Sequence, residues 1–183
     1  SDPDQSGFAT VSILEIETDA AGGGVDTWVD FIGEGVDSVE VDGVSRPVEW
    51  DGSRIRLTGL RGRQTVRIAA RGAYSQSGEG LHRFVDPVDD QTYLYTHYEP
   101  ADARRVMACF EQPDMKARYT FVVTAPAGWL VLSNQEVAST DAHGDAQRVE
   151  FAETLPISSY ITAVAAGPYH RVEGKWRRGE QEI

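Results

Sequence analysis

A chain of 183 residues is long enough for one domain with a sizeable core and too short for more than two small ones. Its 17 basic residues against 29 acidic ones give a net charge of −12, which repels phosphate backbones and argues against nucleic acid as a partner. A lone cysteine, Cys109, rules out an internal disulfide framework and fits either a reducing compartment, with a cytoplasmic location expected, or a protein with no need of staples, while no stretch approaches the roughly 20 apolar residues of a membrane-spanning helix.

The polar, acidic start at residues 1–7 does not resemble a signal peptide. With no initiator Met and a strand pattern that begins at Phe8, the chain reads as an excised fragment. Residues 8–17 alternate and are rich in β-branched side chains, which predicts a strand. Residues 19–24 carry three glycines and read as a hairpin tip. A phosphate cradle would need a following helix and a closing Lys-Ser/Thr, and neither is present. Residues 25–32 alternate again, with Val25, Thr27, Val29 and Phe31 on one face and Asp26, Trp28, Asp30 and Ile32 on the other. A short strand over 36–41 ends in an Asp42-Gly43 turn. Strands over 48–50 and 54–57 flank Asp51-Gly52, a hairpin signal in which both turn residues tolerate positive φ. Residues 64–70 form a further strand.

Charge is unevenly distributed along this half of the chain. Residues 1–50 hold twelve acids and one base, Arg46, whereas residues 51–75 hold one acid and six arginines. Those arginines (54, 56, 61, 63, 67 and 71) mostly alternate with apolar or small residues, so they read as the solvent face of strands.

Residues 72–90 change character and read as a loop. The spacing of Asp86, Asp89 and Asp90 offers too few oxygen ligands for a calcium loop, so a solvated loop is expected. Residues 92–121 then form an interrupted strand pair, broken at Glu99-Pro100 and again at Gln112-Pro113, with an arginine-bearing turn between the breaks. Further strands are expected over 117–125, 129–133, 137–140, 147–152, 160–166 and 169–174. About ten short strands with Gly, Pro and Asp turns and no helix of three turns predict an all-β fold in a single domain over residues 1–183, a sandwich or a strongly bent sheet.

The chemistry-bearing residues are sparse. His82, His97, His143 and His170 have no His or Cys at metal-ligand spacing, and neither H-E-x-x-H nor C-x-x-C occurs, so no metal site is expected here. There is no G-x-S-x-G, and no catalytic residue can be assigned. Cys109, between Ala108 and Phe110, reads as a small buried hydrophobe. His97 and Glu99 stand out. They lie two apart at a strand end and point to one face, where an imidazole and a carboxylate could receive a cationic group; the plainer reading is a polar sheet edge. Pro100 holds Glu99 away from helix.

The run T-H-Y-E-P-A-D-A-R-R-V-M-A-C-F-E-Q-P-D-M-K-A resembles the amino-terminal domain signature of the aminopeptidase N family, zinc-dependent gluzincin exopeptidases. The family pattern is close to T-Q-F-E-P-x-D-A-R-R-x-F-P-C-F-D-E-P-x-x-K-A. It is matched at Thr96, Glu99, Pro100, Asp102, Ala103, Arg104, Arg105, Cys109, Phe110, Pro113, Lys116 and Ala117. The stretches ending at Asn134 and Gly167 are similar to the same domain. The resemblance implies a saddle-shaped β-sandwich, trimmed at both ends, that docks on a thermolysin-like catalytic domain of the same chain. It implies that Glu99 lines the active-site cleft and helps bind the free α-amino group of a peptide substrate. His97 stands where the family has a substrate-contacting Gln, and Glu111-Gln112 where it has Asp-Glu. The zinc motif, the general-base Glu, the G-x-M-E-N loop and the catalytic Tyr belong to the following domain of that family. This fragment alone is therefore expected to be inactive and to bind no zinc, and its cut edges invite an edge-strand dimer. The other reading is a non-catalytic β-sandwich binding or scaffold module.

Overall fold

The computed structural model describes residues 6–19, 23–172, 177–178 and 181–182. Among them the chain forms Gly7–Thr18 (β1), Val25–Asp30 (β2), Gly35–Val41 (β3), Val44–Arg46 (β4), Arg54–Leu60 (β5), Gly62–Ala73 (β6), Gly80–Val85 (β7) and Thr92–His97 (β8). The later strands are Val122–Pro126 (β9), Leu130–Ser133 (β10), Val137–His143 (β11), Ala146–Phe151 (β12), Val164–Gly167 (β13), Arg177–Arg178 (β14) and Gln181–Glu182 (β15). The helical content described is two three-residue 3-10 turns, Ala103–Arg105 and Ser159–Ile161. The fold is all-β, as expected.

Two sandwiches account for most of the core. In the first, the sheet β1-β6-β3-β4 faces the pair β2-β5. Alternation sends Val29 and Phe31, Ile55 and Leu57, Val39 and Val41, and Val66 and Ile68 into one cluster, each less than 5 % exposed. In the second, the sheet β10-β13-β8-β7 faces β11-β12-β9 across Leu94, Val131, Val149, Phe151 and Ala166. A third cluster, Tyr98, Ala103 and Cys109, is backed by Val106, Met107 and Tyr160 and lies at the seam between them.

The charge asymmetry of the sequence is resolved by strand pairing. Arg63 of β6 meets Glu15 of β1, Arg67 meets Glu40 of β3 (3.6 Å) and Arg71 meets Asp37 (3.1 Å). Arg56 of β5 meets Asp26 of β2 (3.0 Å), and Arg54 meets Asp30 (3.5 Å). Surface pairs of this kind, of which only Asp30 is buried, are individually weak. Their main effect is to favour this strand order, since acids would face acids if β1 or β2 paired with β3 instead.

The Asp42-Gly43 turn is as expected, with φ of 51° and 76°. Asp42 also accepts the Thr65 N–H at 2.9 Å, which ties the hairpin to β6. At Asp51-Gly52 only Gly52 has positive φ (98°). Asp51 bends the chain with its carboxylate instead, accepting the N–H groups of Ser53 and Arg54 at 2.9 and 2.8 Å. Before that turn the predicted strand over 48–50 reduces to a single bridge at Trp50.

Several expectations are corrected. The strands that flank the predicted hairpin tip over 19–24 do not pair with each other, because β1 pairs with β6 and β2 with β5; residues 20–22 of that tip lie outside the described residues. The 72–90 loop contains β7, whose polar and apolar residues mix on both faces and so hide its period. The predicted strand over 117–125 begins only at Val122, because the Thr154 hydroxyl takes the Tyr119 N–H at 3.0 Å where a ladder partner would stand. Over 160–166 the chain first turns through Ser159–Ile161, stabilised by the Thr162 hydroxyl donating to the Ser159 carbonyl at 2.7 Å. Residues 169–172 are not strand, and 173–174 lie outside the described residues. Asp86 and Asp89 serve as turn acceptors for the Val88 and Gln91 N–H groups.

Candidate functional site at the end of β8

β8 runs through the second sandwich with Leu94 buried and Tyr93, Tyr95 and His97 on the opposite, outer face. Inward-facing Thr96 accepts the Val164 N–H at 2.8 Å and ties β8 to β13. The next residue after the strand, Tyr98, is 2 % exposed, and its burial raises its phenol well above the ordinary value. Burying Tyr98 leaves its neighbours His97 and Glu99 exposed. The Glu99–Pro100 peptide is cis.

The turn after Glu99 is tightly tied. Asp102 N–H donates to the Tyr98 carbonyl at 2.9 Å, and the Asp102 carboxylate takes Arg105 Nε at 2.7 Å. Ile32 N–H donates to the Arg104 carbonyl at 2.8 Å, joining the turn to the first sandwich. Asp30 and Cys109 exchange two backbone hydrogen bonds at 2.8 and 3.2 Å. Glu111 completes the clamp: one carboxylate oxygen accepts the Arg104 N–H at 2.7 Å and the other accepts the Ser159 hydroxyl at 2.5 Å. Its position before Gln112-Pro113 is thus structural. Buried among these groups, the Cys109 thiol is pushed well above its usual range, first by burial and then by the Glu111 and Asp30 carboxylates.

His97 and Glu99 line one hollow of about 530 Å³ with Ser77, Gly78, Glu79, Tyr95 and Thr96. The two residues singled out in the sequence are therefore brought together. Glu79 was not singled out, because its segment reads as a loop. The signal for it is the Gly78-Glu79-Gly80 triplet, in which both glycines take positive φ, 110° and 69°. The Glu79 carboxyl is held below the ordinary range by its own backbone N–H and by Ser77, with Arg105 and His82 adding to the effect.

A second hollow, of about 540 Å³, lies on the first sandwich between Trp28 and Trp50. Its arginines are already engaged: Arg56 with Asp26, and Arg54 with Asp30 and over the Trp28 ring at 4.6 Å. Among the described residues, no group of three or more His, Cys, Asp or Glu is arranged to hold a metal ion.

Residues 53–161 match the model of the peptidase M1 N-terminal domain. The chain belongs to the peptidase M1 family. It is 44 % identical over 182 residues to an aminopeptidase N of Streptomyces lividans, covering 98 % of this chain and 21 % of that protein. Aminopeptidase M1-A of Oryza sativa subsp. japonica is 32 % identical over 114 residues, 61 % of this chain and 13 % of its own. The chain thus spans about a fifth or less of these two relatives. An M1 zinc metallopeptidase from Deinococcus radiodurans shares the fold, with a TM-score of 0.76 at 18 % identity over 99 % of this chain and 42 % of that one. A mutant of that enzyme has also been solved bound to a Tyr-Ser-Ala substrate, and it matches with a TM-score of 0.77 at 17 % identity over 98 % of this chain and 42 % of that one.

Proposed function

We propose that this M1 N-terminal domain forms one wall of the active-site cleft of a zinc aminopeptidase and that Glu99 receives the substrate's free α-ammonium. The observation that carries this reading is that Glu99 and His97 share one open hollow, with Glu99 flanked by a buried tyrosine and a clamped turn. An exopeptidase must recognise a terminal ammonium, and a fixed carboxylate supplies charge-assisted hydrogen bonds to it. His97, beside it, would contact the first residue of the peptide. Zinc, bound in a separate catalytic domain of the same chain, would polarise the scissile carbonyl. The residues present here would contribute orientation, so the 183-residue chain alone would not hydrolyse peptides.

The outer face of the β10-β13-β8-β7 sheet favours docking of such a domain beside the hollow. Leu132, Ala165, Tyr95 and His82 form a row across its four strands, and Leu132 and Tyr95 are 50 % and 41 % exposed. The edge strand β1, paired among the described residues only with β6, would let the isolated chain form an edge-to-edge dimer. Light scattering that finds monomer at every concentration removes that part of the reading. A cytoplasmic location is the setting we assign to the parent enzyme, on the strength of its free, buried Cys109.

The test is Glu99→Ala in the full-length enzyme, assayed on an aminoacyl amide. Losing a hydrogen-bonded charge pair lowers kcat/KM about 10- to 100-fold. An unchanged kcat/KM means that Glu99 does not anchor the amine.

A further inference from the structure

Glu79 lines the same hollow as Glu99, and anchoring a single ammonium at Glu99 leaves it without a task. We propose that Glu79 is a specificity-determining residue that selects peptides whose first residue carries a basic side chain. This rests on Glu99 receiving the α-ammonium, as argued above.

The lining of the hollow contains two glutamates and no lysine or arginine. A substrate with an uncharged first side chain brings one positive charge to two carboxylates. An N-terminal Arg or Lys brings two. When a cleft closes and water leaves, an unmatched carboxylate is costly and a matched one is favourable, so the second charge becomes a basis for selection. Arg105 and then His82 bear on Glu79 from a distance, and the Arg105 guanidinium is bonded to Asp102 at 2.7 Å, so its charge is already matched. The groups that do most to hold its carboxyl below the ordinary range, the Ser77 hydroxyl and its own N–H, are neutral. They orient the carboxylate without cancelling it.

Position is fixed as firmly as charge. Gly80 pairs with His97 in the antiparallel β7–β8 ladder. The residue before Gly80 therefore runs alongside the residues after His97, which sets Glu79 beside the turn that carries Glu99. The backbone on either side of Glu79 is held in left-handed turns at Gly78 and Gly80, and a Cβ added at Gly80 would lie 2.9 Å from Arg105 Cβ. A carboxylate on so constrained a turn can be selective where a mobile surface acid cannot.

The experiment compares kcat/KM of the full-length enzyme on Arg, Lys, Leu and Ala aminoacyl amides. Glu79→Gln is expected to lower the basic-to-neutral ratio about tenfold. Raising salt from about 0.1 M to about 1 M shortens the Debye length from about 10 Å to about 3 Å, so the wild-type ratio should fall with it. A ratio that neither Glu79→Gln nor salt moves overturns the inference, as does a wild-type enzyme with no preference for Arg or Lys over Leu and Ala. Glu99→Gln separates the two readings, because it should depress all four substrates together. If it depresses none, the amine-anchor reading fails; if it depresses all four while Glu79→Gln leaves the ratio alone, only the role of Glu79 fails.

Discussion

Gly80 stands directly across from His97 in the β7–β8 ladder, and its backbone runs so close to Arg105 that a methyl group at this position would collide with that side chain. This pairing brings a turn with a carboxylate at its tip to the end of β8, where the motif residues His97 and Glu99 emerge.

Gly80→Ala should therefore be costly for two reasons, a φ of 69° and a Cβ contact of 2.9 Å. The expected loss is about 1–3 kcal/mol. Gly128→Ala is the control, since Gly128 also has positive φ (86°) but a Cβ there meets nothing within 4 Å. Thermal melts of the two variants should differ, with Gly80→Ala the less stable. Equal losses would mean that the approach to Arg105 adds no cost.

Glu111→Ala leaves the Arg104 N–H and the Ser159 hydroxyl without their acceptor. Stranding buried donors costs about 1–3 kcal/mol. Glu111→Gln keeps one acceptor oxygen and should lose less. Urea titration orders the three proteins, and a Glu111→Ala midpoint equal to wild type would show that the clamp contributes nothing.

Cys109 should resist alkylation. Burial and two neighbouring carboxylates raise its thiol, whereas a free cysteine titrates near about 8.5. At about pH 8, intact-mass analysis should find the folded chain unlabelled by iodoacetamide and the denatured chain fully labelled. Labelling of the folded chain at the denatured rate would contradict this packing.

Acid should weaken the first sandwich through Asp26, Asp42 and Asp51. Each carboxyl is held below its ordinary value chiefly by backbone N–H groups: Gly59 for Asp26, Thr65 for Asp42, and Ser53 and Arg54 for Asp51. A carboxyl with a lowered folded value stabilises the fold above its unfolded value of about 3.9, and that contribution disappears as pH falls through the folded value. Melting temperature should thus fall as pH drops below about 4. The decline should be shallower in a variant carrying Asp26→Asn, Asp42→Asn and Asp51→Asn. Identical acid profiles would assign the loss to other groups.

Much of the fold is legible along the chain. Period-two alternation marks β1, β2, β5 and β6, and the Asp42-Gly43 turn is marked by residues that tolerate positive φ. The interrupted run from Thr92 to Phe121 marks both the family and the place of Glu99. The misses have separate causes. β7 lacks a clean period, and the stretch before Val122 has a strand-like period whose ladder is interrupted by the Thr154 hydroxyl. Thr154 lies far along the chain from Tyr119, so no local pattern announces it.

By itself the sequence determined an all-β chain of the M1 family with His97 and Glu99 at a strand end, because strand period, turn chemistry and a contiguous motif are all local properties. Only the tertiary structure decided that the arginines of β5 and β6 answer the acids of β1, β2 and β3. It alone set Glu111 and Ser159 as a clamp on the arginine turn and placed Glu79 in the hollow that Glu99 lines. These are matters of strand order and register, which are fixed when distant segments bury their apolar faces together, and no local pattern encodes which segment will be the partner.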